Sequence, residues 1–354
     1  MNGNNRISAK KYFAAANTYH GFKSYFDLVF KPSEYEYIYV LKGGPGTGKS
    51  SLMRRIGEAF IDKGLNIEEI YCSSDPHSLD GVIIKSISKK IAILDGTAPH
   101  ERDAKSPMAK DEIINLANGL KAGWIQAKNN EIINLSNEKS NAYKTAYKYL
   151  ALAGVSDKII RDEYECKKDI FEIKNKADAI LLNILESDSS SISTRLCSSF
   201  SRYGKLKLDG ICDTKTQVIT VSGDEAARGI FMNAFYKKST AKKYNIIHFP
   251  NALEPTLTDA VYFPDANIII MQGDKGEINA NDYISITPLG RERIKTALAI
   301  KDESLNEAKR WFAIASDLHF RLEKIYGEAM DFEANDRICE ELITKITNIL
   351  EISI

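Results

Sequence analysis

The chain has no charge of one sign to spare. Lys plus Arg and Asp plus Glu both number 48 in 354 residues, so no global basic field draws nucleic acid or an anionic lipid surface. The lysine pairs Lys89-Lys90, Lys167-Lys168, Lys237-Lys238 and Lys242-Lys243 are scattered and read as solvated faces, not as a nucleic-acid track. No run approaches the ~18 apolar residues of a membrane span, and the opening MNGNNRISAKKYF has no apolar signal-peptide core. The five cysteines form no CxxC and leave an odd number, which suits free thiols in a reducing compartment. A cytoplasmic location is therefore expected. Cys72 and His77 have no second ligand pair near them, which argues against zinc. What remains is an ordinary globular composition, 44% hydrophobic and 27% charged, with length for about one to three domains.

One stretch carries explicit chemistry. Within YIYVLKGGPGTGKSSLMRRIGEAF, which begins at Tyr37, the residues Gly43-Gly44-Pro45-Gly46-Thr47-Gly48-Lys49-Ser50 fit G-x-x-x-x-G-K-[ST] at every position. Residues 37–41 form a β-rich run before it. Leu52, Met53, Ile56, Ala59 and Phe60 recur at helical spacing after it, and Gly64 supplies a stop. Glycines let such a loop curl until its N–H groups point inward, and a helix N-terminus adds its positive end, so anionic phosphate fits there. Lys49 can reach the outer phosphates and the Ser50 hydroxyl can join a Mg²⁺ shell. The expected ligands are ATP and Mg²⁺, held by this octet together with Ser51.

A metal-side carboxylate is expected from a neighbouring strand. In KKIAILDG, residues 91–94 are a short apolar run ending in Asp95, as a buried parallel strand would be, and ligands sit at the C-terminal ends of such strands. Asp95 and Ser50 form the expected metal set. The residue after Asp95 is Gly96, where many hydrolysing P-loop ATPases place a Glu. Substitutes lie in GTAPHERD (Thr97, His100, Glu101) and in YCSSDPHSLDG (Asp75, His77, Asp80). Turn-forming and capping roles compete at each of these; Asp75 and His100 join Lys49 and Asp95 as catalytic candidates.

The cadence returns 179 positions later in TQVITVSGDEAARGIFMNAF. Gly44 falls on Gly223, Met53 on Met232, Asp80 on Asp259, and Asp75-Pro76 on Glu254-Pro255. His20-Gly21 resembles Tyr203-Gly204, and residues 91–94 meet 268–271. This reads as an internal duplication. The chemistry does not repeat: Gly46 meets Glu225, Lys49 meets Arg228, Ser50 meets Gly229, and Asp95 meets Gln272. Negative charge at Asp224 and Glu225 opposes phosphate, so the second loop is expected not to hold Mg-ATP. It is either a retained structural half or a partner in a pseudo-dimer that lends Arg228 or Arg202 to the nucleotide.

The expected fold is therefore α/β, with two P-loop halves of parallel sheet and flanking helices, each followed by a helical hairpin. Domain one spans 1–186, with its helical extension at about 103–186. The serine-rich 187–194 reads as a linker, and 195–354 as the degenerate half with C-terminal helices. Apolar residues at three- and four-residue spacing mark the helices, Gly154 with Ser156-Asp157 reads as a break between two of them, and their stripes are expected to be the seam between the copies.

LKGGPGTGKSSLMRRIG, YCSSDPHSLDGVII and AILDGTAPH, followed by DEIINL, together resemble a family of bacterial P-loop ATPase-like proteins found mainly in Firmicutes. Its members carry two tandem P-loop halves separated by helices, and the resemblance spans nearly the whole chain. It implies ATP and Mg²⁺, with no assigned pathway. The second half departs from that family's usual GxxxxGKS. Three functions stay open: an ATPase coupled to conformational change; a small-molecule or nucleotide kinase, with Asp75 positioning an acceptor hydroxyl and Arg102 or the Arg161 region as lid arginine; and a non-enzymatic nucleotide sensor or scaffold with an unidentified protein partner.

Overall fold

The computed structural model describes residues 9–164, 169–184, 186–187, 190–284, 286 and 288–351. The first half opens with β1 (Lys10–Phe13), the hairpin β2 (Ala15–Thr18) and β3 (Gly21–Ser24), and the single turn α1 (Phe26–Val29). Then come β4 (Tyr37–Lys42), α2 (Lys49–Asp62), β5 (Asn66–Tyr71), β6 (Leu79–Lys85), β7 (Lys90–Asp95) and β8 (Asp111–Asn115). The strands form a six-stranded sheet in the order β1-β5-β6-β7-β4-β8. The β4 strand, YIYVLK, is buried along its middle and paired in parallel with both neighbours, so its apolar run is continuous and not alternating. The sheet is mixed, not wholly parallel: β6 runs against β5 and β7. The cause is local, because the short connections on either side of β6 can join only antiparallel neighbours.

The second half repeats this plan. Strands β9 (Ser191–Thr194), β10 (Ser198–Ser201), β11 (Gly204–Lys207) and β12 (Gln217–Ser222) precede α6 (Glu225–Ser239), and β13 (Asn245–Pro250), β14 (Thr258–Phe263), β15 (Ile268–Gln272) and β16 (Ile278–Asn279) follow it. The order β16-β12-β15-β14-β13-β9 is the first sheet's order strand for strand, with β14 as its antiparallel member. The serine-rich stretch expected as linker in fact contributes β9, the edge strand beside β13.

The helices behave differently from a hairpin per half. After β8, the short α3 (Ala122–Ala127) leads into α4 (Asn129–Asp162), which runs unbroken through Gly154. A Cβ at Gly154 would lie 2.7 Å from Tyr19 Cβ. The glycine is there for close packing and does not break the helix. From α4 the chain passes to α5 (Asp169–Leu181), which packs on α6 of the second half. From β16 the 41-residue α7 (Pro288–Glu328) runs back to α8 (Phe332–Leu350), which packs on α2 of the first half. Each half's closing helix thus lies on the other half. Residues 111–115, inside the expected helical extension of about 103–186, form β8 instead.

The crossing helices α4 and α7 are antiparallel: Leu135 packs with Leu322 and Ile325, Tyr147 meets the Phe312 ring, and Asp157 pairs with Lys301. Buried Ala142, Ala146 and Ala153 in α4 and Ala308 and Ala315 in α7 let the backbones approach, and the aromatic rings fill the flanks. The halves also meet about an approximate two-fold axis. Phe13 and Leu196, which hold equivalent places, exchange both backbone hydrogen bonds at 2.8 and 3.0 Å, as an isologous contact does. One apolar core contains Phe13, Ile38 and Leu94 of the first half with Leu196, Phe249 and Ile269 of the second. Across the same boundary Arg195 binds buried Glu68 at 3.0 Å. Burial alone would raise the Glu68 carboxyl, but Arg195 and Lys85 outweigh it and hold it at about 2.

Candidate functional site

Both edges of β4 face parallel strands, so the loop of residues 43–48 leaves the sheet at its C-terminal side, beside the end of β7. The register places Leu41 opposite Asp95, which brings the loop and the carboxylate together. The glycines are required where the backbone turns left-handed. Gly48, at φ 85°, is the N-cap of α2, and Gly46, at φ 71°, would drive a Cβ to 2.2 Å from the Glu323 carbonyl oxygen. Among the described residues no protein acceptor meets the N–H of Gly44, Gly46, Thr47 or Gly48, and the first turn of α2 adds further free donors. Buried Thr47 closes the loop on itself, its hydroxyl donating to the Gly44 carbonyl at 2.9 Å. Such a cluster of unpaired N–H groups at a helix N-terminus has the chemistry of an anion seat.

Lys49 lies across the mouth. Its Nζ donates to the Gly43 carbonyl at 3.1 Å and the Gly44 carbonyl at 2.8 Å, and it stands 3.6 Å from Asp95 Oδ2. Asp95 is oriented by Thr97, whose N–H and hydroxyl donate to Oδ1 at 2.8 and 2.6 Å. Thr97, weighed as a water-orienting residue, is spent on this. The Ser50 hydroxyl oxygen accepts from the Leu79 N–H at 2.9 Å, which ties the start of β6 to α2 and carries Asp80 in beside the site. Asp80, His100 and Asp95 offer ligand atoms that all lie within 4.8 Å of one another. Burial, then the Asp95 charge, push the Asp80 carboxyl up to about 8. His100 is stacked on Phe26 at 4.1 Å, and burial lowers it to about 4. Asp75 caps its own turn through the His77 N–H at 3.1 Å, and its charge is felt by Asp80 and by Glu323 of α7.

The structure adds residues that local sequence could not supply. The α7–α8 corner closes over the loop: the Tyr326 ring lies over Gly44, the Glu323 carbonyl against Gly46, and Asn335 Nδ2 donates to the Thr47 carbonyl at 2.8 Å across 288 positions of sequence. Lys139 of α4 and His319 of α7 stand in the same wall, and burial lowers both. No periodicity announces such contacts; they follow from the helix crossing. Of the two arginines considered as contributions from the second half, Arg228 stays at home, bonded to the Gly273 carbonyl at 3.0 Å and Asp274 at 3.2 Å. Arg202 crosses to α7, pairing with Asp317 at 3.0 Å and lying over the Phe320 ring, while its neighbour Tyr203 meets His77 edge-on. The kinase-lid candidates are committed elsewhere: Arg102 is buried on the Phe30 carbonyl at 2.7 Å, and Arg161 binds Asp157 and Glu254 at the second half's loop.

That second loop is built differently. Helix α6 begins at Glu225, the equivalent of Gly46, so its first turn occupies the place of the nest. The Asp224 N–H is taken by Asn281 Oδ1 at 2.9 Å, and Glu225 is held by Lys205 at 2.9 Å and Lys301 at 2.7 Å. The equivalent of Asp95, Gln272, donates to the Thr258 carbonyl at 2.8 Å. No helix among the described residues is long and apolar enough to cross a membrane. No protein-family model, no curated protein and no solved structure matches the chain.

Proposed function

We propose that the chain binds ATP or another nucleoside triphosphate with Mg²⁺ at the 43–50 loop of its first half, and hydrolyses it. The observation that carries this is the set of N–H groups at Gly44, Gly46, Thr47 and Gly48, without an acceptor among the described residues, in the loop that leads to Lys49, itself 3.6 Å from Asp95. The loop would seat the β-phosphate on its backbone donors. Lys49 would exchange the neutral Gly43 and Gly44 carbonyl acceptors for anionic outer phosphate oxygens. Ser50 and Asp95 suit the cation, since Asp95 keeps Oδ2 free of protein hydrogen bonds apart from the Lys49 pairing; bound Mg²⁺ supplies Lewis-acid neutralisation of the phosphate charge. The resemblance to tandem P-loop ATPases belongs to this proposal.

The helix corner from the second half supports coupling in preference to bare binding. Any rearrangement of the 43–48 loop is felt at Glu323, Tyr326 and Asn335, and α7 carries it along the α4 seam to the other sheet. The kinase reading has less support, because both of its lid arginines are engaged away from the loop. Calorimetric titration with a non-hydrolysable ATP analogue and Mg²⁺ tests the proposal. A stoichiometry near one, lost in Lys49→Ala, supports it, and no binding overturns it. Phosphate release without an added acceptor supports hydrolysis, whereas acceptor-dependent ADP formation favours a kinase and tight binding without turnover favours a sensor.

A further inference from the structure

Beneath Lys49, three side chains from three separate segments converge: Asp80 at the start of β6, Asp95 at the end of β7, and His100 in the turn beyond it. Their ligand atoms lie within 4.8 Å of one another, a span that one ion with bonds of ~2.1 Å closes by a sub-ångström movement. An acidic pair alone would mean little. The histidine is the second observation. His100 is 8% exposed, stacked on Phe26, and neither ring nitrogen has a hydrogen-bond partner. A buried imidazole ordinarily satisfies at least one nitrogen with a backbone or side-chain group; here both are unused, and one is aimed at two carboxylates. Thr97 fixes Asp95 through Oδ1 and leaves Oδ2 facing the Lys49 ammonium at 3.6 Å. Oriented carboxylates backed by an outer hydrogen bond are how protein metal ligands are commonly held.

We propose that Asp80, Asp95 and His100 form a site for a divalent transition-metal ion of the Mn²⁺-to-Zn²⁺ class. An imidazole ligand selects such ions over Mg²⁺, which prefers oxygen ligands and retains its water. The inference deepens the nucleotide reading by giving the cation of that site an imidazole and a second carboxylate. Its test, however, needs no nucleotide. In the free protein Lys49 occupies the place of the positive charge. Phosphate would draw Lys49 off Asp95, so nucleotide and metal each tighten the other.

The experiment is titration of the metal-stripped full chain with MnCl₂, followed by calorimetry and by the electron paramagnetic resonance of free Mn²⁺, with MgCl₂ in parallel. One Mn²⁺ per chain is expected, bound at least about tenfold tighter than Mg²⁺. His100→Ala should lower Mn²⁺ affinity by at least about tenfold and Mg²⁺ affinity by less, which erases the preference, and Lys49→Ala should tighten Mn²⁺ by removing the competing ammonium. If His100→Ala does not fold, as judged by circular dichroism and thermal unfolding, Asp80→Asn serves, with loss of Mn²⁺ expected. Equal Mn²⁺ affinity in wild type and the ligand variant, or no Mn²⁺ binding in wild type and Lys49→Ala alike, overturns the proposal. Failure of the nucleotide reading looks different: the ATP analogue would then not bind with either cation, whatever the result for Mn²⁺ alone.

Discussion

The two halves share a sheet order, a hairpin and a crossing helix, yet their central loops diverge completely. Six residues separate β4 from α2, and two separate β12 from α6. The difference is traceable to a few positions. Where the first half has Gly46 and Gly48, both left-handed, the second has Glu225 and Ala227. Ala is the strongest helix former and Glu suits a first helical turn, so α6 extends backwards through the space that the first loop leaves open. The nest in the second half is therefore lost to helix propensity before charge is considered. Glu225 is then neutralised internally by Lys205 and Lys301.

The largest expected difference is in nucleotide binding. On the nucleotide proposal Lys49→Ala would remove a cationic partner of the phosphates and should weaken the ATP analogue by roughly 100-fold, without unfolding the protein, since Lys49 lies at the loop mouth and is not core. Arg228→Ala, at the equivalent position, breaks only contacts with Gly273 and Asp274 and should leave affinity within about twofold. Calorimetry on both variants decides the matter. A large loss in Arg228→Ala would abolish the contrast between an open and a filled loop.

Much of this arrangement was legible in the sequence, for reasons that differ by element. The strand, loop and helix around Lys49 are encoded within 24 residues, and Asp95 could be placed because a strand's C-terminal end is a local feature. The repeat was visible because both copies keep the same strand spacing. The helix crossing was not legible: α4 and α7 show seams but no address, and nothing in EANDRICEEL says that Asn335 will grip Thr47. Gly154 was misleading. A mid-helix glycine and a helix stop look alike until the neighbour, Tyr19, is known. His100 and Asp80 lie within visible turns, but only the pairing of β6 with β7 brings them together.

Gly154 gives the next contrast. In a helix interior Gly→Ala ordinarily stabilises by about 0.5–1 kcal/mol. Here the added methyl meets Tyr19 Cβ and Cγ at 2.7 and 2.9 Å, atoms close to the backbone that cannot swing away. Gly154→Ala should therefore destabilise by about 1–3 kcal/mol, read as a lowered midpoint in urea. Gly123→Ala is the control: that glycine lies in the exposed α3 with open space around its Cβ position, and the usual gain is expected. A gain at both positions would mean that α4 is free to move off the hairpin.

Swapping loop residues between the halves should produce smaller effects, each destabilising but for opposite reasons. Gly48→Ala places a Cβ at a left-handed φ and 2.7 Å from Asn335 Nδ2, and should cost about 1–2 kcal/mol. Ala227→Gly in α6 should cost about 1–2 kcal/mol, through helix propensity and the loss of a buried methyl. Thermal unfolding of the two variants measures both. If nucleotide affinity also falls in Gly48→Ala and is untouched in Ala227→Gly, the distinction between nest and helix turn is sharpened to single residues.

The smallest expected effect concerns acid. Burial alone would raise the Glu225 carboxyl, but Lys205 and Lys301 outweigh it and hold it at about 2, below its ordinary 4.5. A depressed carboxylate contributes stability that is complete above pH 4.5 and is lost as the pH falls towards 2. The side chain is half exposed, so screening keeps the contribution below about 1 kcal/mol. Wild type should exceed Glu225→Gln in stability at pH 6, and that margin should shrink at pH 3, in urea titrations at each pH. Gly46, in the same place in the first half, carries no charge, so its loop should add nothing to this dependence. A margin that stays constant with pH would mean that α6 owes its backward extension to helix propensity alone, with the lysines as bystanders.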